Sequence, residues 1–98
     1  MIVRIVKMTF NEADVPAFMG IFEEIRQRIS SFEGCHKLEL LRDTADPNIH
    51  FTYSWWQKDE NLQAYRSSDF FADTWKRTKA LFAEKAEAWS VELVDGVK

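Results

Sequence analysis

Arg4 and Tyr65 are the polar residues best placed in the sequence to act on a small molecule. Arg4 lies within Ile2-Val3-Arg4-Ile5-Val6-Lys7-Met8. Read as a strand, this run puts Arg4 on one face with Ile2, Val6 and Met8, because strand side chains alternate. A guanidinium set among apolar groups can hold an enolate or phenolate through fixed donors. The alternative is an edge position from which the charged head reaches water. Tyr65 can donate a hydrogen bond into a pocket or act as a weak acid, although a phenol of pKa about 10 is a poor base. Its alternative is a half-buried ring with the hydroxyl in water. Phe22, Tyr53, Phe71 and Trp75, with Val6 and Met8, are the candidates to bind a flat molecule. Rings at this spacing are more often plain core.

Other chemistries find less support. His36 and His50 are the only imidazoles. In the hairpin register described below they fall on opposite faces, about 15–20 Å apart at the usual strand rise, too far for a shared metal. His36 reads as a structural histidine on the apolar face, and His50, beside a turn, as exposed. Cys35 is the single cysteine, which excludes an internal disulfide and reads as an inert thiol. Ser54 has no histidine placed to activate it. No glycine-rich loop is present for phosphates or dinucleotides. These residues give no support to a shared metal site or a dinucleotide loop.

These residues need elements to position them. Residues 2–10 read as a strand apolar on both sides, with Val3 and Ile5 facing away from Val6, Met8 and Phe10. Residues 14–32 read as a helix, with Asp14 as its cap, Pro16 in the first turn, and a stripe including Phe18, Phe22, Ile25 and Ile29. Gly34 is its stop signal. Residues 35–42 and 49–56 read as strands joined by the turn Asp43-Thr44-Ala45-Asp46-Pro47-Asn48. Pairing Arg42 with Ile49 groups His36, Leu38 and Leu40 with Phe51, Tyr53 and Trp55; a slip of one residue reverses that grouping. Residues 59–88 read as helix, in one piece or two, with Asp59 as one cap and Ser67 or Ser68 as another. Residues 89–95 read as a last strand, and Gly96-Val97-Lys98 as a tail.

The order β-α-β-β-α-β is the ferredoxin-like arrangement, an α+β fold with a four-stranded antiparallel sheet and helices on one face. Residues 1–98 read as one domain. Helices can clothe only one face, and the other carries Val3, Ile5 and several rings. A second copy packed sheet to sheet in a twofold homodimer is the simplest cover. The net charge of −3, with no basic block, argues against nucleic acid and against an anionic membrane surface. The N-terminal apolar run is short for a signal peptide, and no stretch approaches the roughly 20 apolar residues of a membrane span. A cytoplasmic setting is expected.

The chain resembles the antibiotic biosynthesis monooxygenase family. The similarity is carried by Glu33-Gly34-Cys35 opening the second strand, Arg42-Asp43 closing it and Asp46-Pro47-Asn48 in the turn. It continues through Trp56, Asp59-Glu60, Leu62-Gln63-Ala64, Ser68 and Phe70-Phe71. It implies a dimeric α+β barrel with a pocket between sheet and helices. It also implies oxygenation of a small aromatic or quinol-like substrate without metal or flavin. In that chemistry the substrate supplies the electrons, donors hold its oxyanion, and a dry pocket keeps the anion reactive. The sequence departs from the family where members often carry Glu (Ser54 here) and His (Tyr65 here). It also departs from the haem-degrading branch, which has His where Trp75 stands and Asn near Val6. Haem degradation by that ligand set is not expected. The functional expectation is a cofactor-independent monooxygenase; the alternative is a non-catalytic dimeric module that binds a small molecule.

Overall fold

The computed structural model describes residues 1–97; of the expected tail, Lys98 lies outside the described residues. Strand β1 (Ile2–Thr9) leads through a short 3-10 turn (Glu12–Asp14) into helix α1 (Val15–Ser30). Strands β2 (Cys35–Arg42) and β3 (Ile49–Trp56) form a hairpin, followed by α2 (Asp59–Arg66), α3 (Asp69–Lys79) and β4 (Glu87–Val91). The sheet order is β2-β3-β1-β4, with every neighbouring pair antiparallel. This is the expected ferredoxin-like fold, with the second helical stretch divided into two helices.

Helix α1 buries Phe18, Phe22, Ile25 and Ile29, a 3.6-period stripe that faces the sheet. The core gathers Phe18 and Phe22 with Met8 and Phe10 of the first strand's run. Phe10 and Phe18 stack with centroids 4.3 Å apart. Each ring so buried contributes roughly 1.5–3 kcal/mol. The break between α2 and α3 is made by Ser68. Its Oγ accepts from the Phe71 backbone N–H at 3.0 Å and donates to the Tyr65 carbonyl at 2.6 Å. Lys58, not Asp59, caps α2; its backbone N–H donates to Asn61 Oδ1 at 3.1 Å.

Three sequence expectations change. The hairpin pairs Arg42 with His50, not with Ile49. The turn sets this register: Asp43 Oδ2 accepts from the N–H groups of Ala45 and Asp46, and the Asp43 N–H donates to the Ile49 carbonyl at 2.9 Å. Leu38 and Leu40 therefore share a face with Thr52 and Ser54, while Phe51, Tyr53 and Trp55 turn to the other side. The long helix ends at Lys79 rather than continuing to residue 88. Phe82 pairs with Phe10, and the Ala83 N–H donates to the Thr9 carbonyl at 2.8 Å, so tertiary pairing overrides the helical propensity of Ala83-Glu84-Lys85-Ala86. The last strand consequently spans Glu87–Val91, and residues 92–97 form no strand.

The two histidines exchange their expected roles. His50 is 3% exposed and packs edge-on to Phe10, whereas His36 is exposed at a bulge and bonds Gln57 Oε1 at 2.7 Å. Among the described residues no helix is long and apolar enough to cross a membrane.

Candidate functional site

A cavity of about 240 Å³ lies between the helices and the sheet. Cross-strand register builds its floor. One row runs Ser90, Arg4, Ser54, Leu38 across β4, β1, β3 and β2; the next runs Ala88, Val6, Thr52, Leu40. The first row is polar at its centre and the second is mostly apolar. The roof carries Tyr65 from α2 and Phe71 and Trp75 from α3. Phe71 and Trp75 stack within 9° of parallel at 5.9 Å, and Tyr65 meets Phe71 edge-on at 5.1 Å. The roof is thus a run of rings from Tyr65 to Trp75, extended to Phe82 by a further edge contact at 5.5 Å.

Arg4 sits half-buried on the floor, and its Nη1 donates to Ser90 Oγ at 2.9 Å. Burial lowers the guanidinium pKa, and the nearby positive charge of Arg66 lowers it further, while Asp59 pulls the other way. Both surroundings make the charge receptive to an anion. Tyr65 stacks on the fully buried Trp56 at 5.2 Å. Burial, and secondarily Cys35, push its hydroxyl pKa well up, so Tyr65 is a donor and not a base. Trp56 Nε1–H donates to Ser54 Oγ at 2.9 Å, which leaves the Ser54 proton free to point at a ligand. Burial also raises the pKa of the Cys35 thiol, which donates weakly to the Lys37 carbonyl at 3.7 Å. That is the environment of an inert thiol.

Seven of the eight expected site residues come together: Arg4, Val6, Met8, Phe22, Tyr65, Phe71 and Trp75 all line the cavity. Tyr53 does not. Its pairing with Ile5 and Glu39 puts it on the opposite face of the sheet, beside Trp55. The one-residue register difference is the whole reason. Sequence reasoning passed over Ser54 as a donor and missed Arg66 altogether. Both line the cavity, and nothing in the sequence alone singles out Arg66, a charged residue on the exposed side of α2. No Asp, Glu or His side chain lines the cavity among the described residues. Nor do three or more His, Cys, Asp or Glu side chains gather there in a metal-holding group. What the site offers is a set of hydrogen-bond donors at one end and an aromatic wall along the rest.

Ser54, Tyr65, Trp75 and Val6, the positions where the sequence departs from the pattern it resembles, all line this one cavity. Comparison with known proteins agrees with the architecture. A crystal structure of antibiotic biosynthesis monooxygenase superposes with a TM-score of 0.89 at 14% identity, covering 97% of this chain and 100% of that one. A conserved protein from Methanosarcina mazei Go1 gives 0.87 at 18% identity, with 93% and 91% covered. Rv0793 from Mycobacterium tuberculosis gives 0.88 at 10% identity, with 99% and 98% covered. At these identities the likeness shows the fold alone. None of the curated proteins matches the chain. The sequence itself matches the family described as Antibiotic biosynthesis monooxygenase over residues 1–77, the stretch that supplies β1 through most of α3 and all but the β4 edge of the cavity floor. The chain belongs to the antibiotic biosynthesis monooxygenase family.

Proposed function

We propose that the protein is a cofactor-independent monooxygenase acting on a small aromatic or quinol-like molecule held in the cavity. The observation that carries this reading is the half-buried Arg4 guanidinium on the floor of a largely apolar cavity walled by Tyr65, Phe71 and Trp75. A phenolate or enolate oxygen beside Arg4 is stabilised by a positive charge partly shielded from water. Tyr65 and Ser54 are positioned as further donors. The Phe71–Trp75 stack holds the ring and limits water, so the electron-rich anion meets dioxygen rather than a proton. Among the described residues no Asp, Glu or His lines the cavity wall, so the substrate enters as its anion, or ionises because Arg4 lowers its pKa.

A volume of about 240 Å³ suits a one- or two-ring molecule, since it falls below the roughly 300–1,000 Å³ of drug-sized ligand sites. We also infer a homodimer, because members of the family are commonly dimeric and one face of the sheet is uncovered and apolar.

The missing acid or imidazole is the one observation that favours the second reading, a dimer that binds such a molecule without turnover. Dioxygen uptake with a panel of quinols separates the two. Uptake above the uncatalysed rate that falls in Arg4→Gln supports the enzyme. Tight binding without uptake across the panel leaves the binding module.

A further inference from the structure

The donor end of the cavity holds two guanidinium groups. Arg4 rises from the floor and Arg66 comes from the last turn of α2, and both line the same space. They are close enough that Arg66 acts on the ionisation of Arg4. Like charges this close repel, and proteins normally relieve such a pair with a carboxylate. Here the relief is incomplete. The ion pairs among the described residues are Lys7–Glu87, Arg26–Glu23, Lys37–Glu39 and Arg77–Glu24, and none involves Arg4 or Arg66. The acid that bears on Arg4, Asp59, instead has its Oδ1 occupied by the Gln63 side-chain amide at 3.3 Å. Ser90 and Ser54 flank Arg4 on either side in the floor and supply hydroxyls, not charge. Arg66 is exposed, so this end of the cavity meets solvent.

We propose that Arg4 and Arg66 together form an anion clamp, so that the ligand of this cavity is an aromatic acid: a one- or two-ring body against Phe71 and Trp75, with its carboxylate between the two guanidinium groups. The clamp rests on the reading of the cavity as a ligand site and not on the oxygenase chemistry, since a carboxylate held there takes the place of the phenolate oxygen on Arg4 and leaves Tyr65 and Ser54 to meet any ring oxygen. Planar forks on two sides of a carboxylate match its oxygens. The ring then points away from solvent, toward Met8 and Trp75.

The test uses naphthoate and its uncharged counterpart naphthylmethanol, followed by quenching of tryptophan fluorescence at low salt. The clamp predicts that naphthoate binds about tenfold more tightly or better, as expected for charge-assisted hydrogen bonds. That preference shrinks toward unity in 0.5 M salt, a concentration of order that leaves a Debye length of only a few ångströms. It shrinks likewise in Arg66→Gln, a substitution at an exposed position, and in Arg4→Gln, the acid losing more affinity than the alcohol in each. Circular dichroism melting establishes that each variant is folded. Should the wild-type protein bind acid and alcohol equally, or keep its preference in folded Arg66→Gln, the clamp is wrong and the ring-binding cavity stands. Should neither compound bind, the cavity is not a ligand site for rings of this size, and the clamp falls with it.

Discussion

Among the described residues Arg4 makes one side-chain hydrogen bond, to Ser90, so its aim depends on that neighbour. Arg4→Gln keeps a donor but removes the charge, and oxygen uptake should fall about a hundredfold in kcat/KM, the scale of losing one oxyanion donor. His50 gives a second expectation at this scale. Burial, with Arg42 adding repulsion, lowers its pKa in the folded chain, against a smaller opposing pull from the Asn48 backbone. Above the unfolded value of about 6.5 the imidazole is neutral in both states. As pH falls below that value the unfolded chain gains a proton the folded chain refuses, so stability drops until the folded pKa is reached. A melting series from about pH 7.5 to 5.5 should show this loss, and His50→Leu should flatten it. Arg4 and Tyr65 were legible as cavity residues because face alternation in β1 and the position of Tyr65 on α2 survive small errors of boundary. Arg66 was not, because a charged residue one position beyond Tyr65 looks like part of the wet face until the cavity opens beside it.

At the scale of elements, two short joints hold the cavity roof in place. Ser68 starts α3 by capping the Phe71 N–H, and Phe71 is one of the roof rings. Ser68→Ala should cost about 1 kcal/mol in chemical denaturation, the usual loss for a serine cap. Gly34 sits at φ 83° where α1 hands over to β2, and a Cβ there would overlap the Asn61 side chain that caps α2. Gly34→Ala should therefore cost about 1–3 kcal/mol, more than a glycine in ordinary backbone, with the onset of α2 disturbed. Asn61→Gly in the same background should recover part of the loss if overlap rather than φ dominates. The sequence reading found β1, α1 and the hairpin, each marked by strong local signals, and left the α2–α3 division open while naming Ser68 as a candidate second cap. The hairpin register was misjudged by one residue because the Asp43 carboxylate gathers the Ala45 and Asp46 N–H groups and the Asp43 N–H reaches the Ile49 carbonyl, which draws Ile49 out of pairing with Arg42, a closure that β-branched and aromatic patterning in Ile49–Trp56 does not reveal. The end of α3 was missed because the residues after Lys79 favour a helix locally, and only Phe82 meeting Phe10 stops it.

For the whole molecule the proposed dimer rests on the sheet face that carries no helix. Its rows run Val91, Val3, Trp55, Lys37 and Trp89, Ile5, Tyr53, Glu39, with Lys7 and Glu87 closing one end. Trp89 is 45% exposed and Val91 44%, and they stand beside one another's row rather than scattered, which marks a contiguous patch. Lys37 lies over Tyr53 and Trp55 at 5.9 and 5.7 Å and shields one edge. For the proposed pair of sheets, Trp89→Glu should shift sedimentation from dimer to single subunit at micromolar concentration. A wild-type protein that already sediments as one subunit would remove the assembly. Strand β4 is only five residues long and lies at the sheet edge, yet its alternating sides do two jobs: Ser90 steadies Arg4, while Trp89 and Val91, its immediate neighbours, belong to the outer patch. Whatever grips those two outer side chains also stiffens the serine between them. Turnover per subunit should then fall on dilution, at concentrations where the pair comes apart.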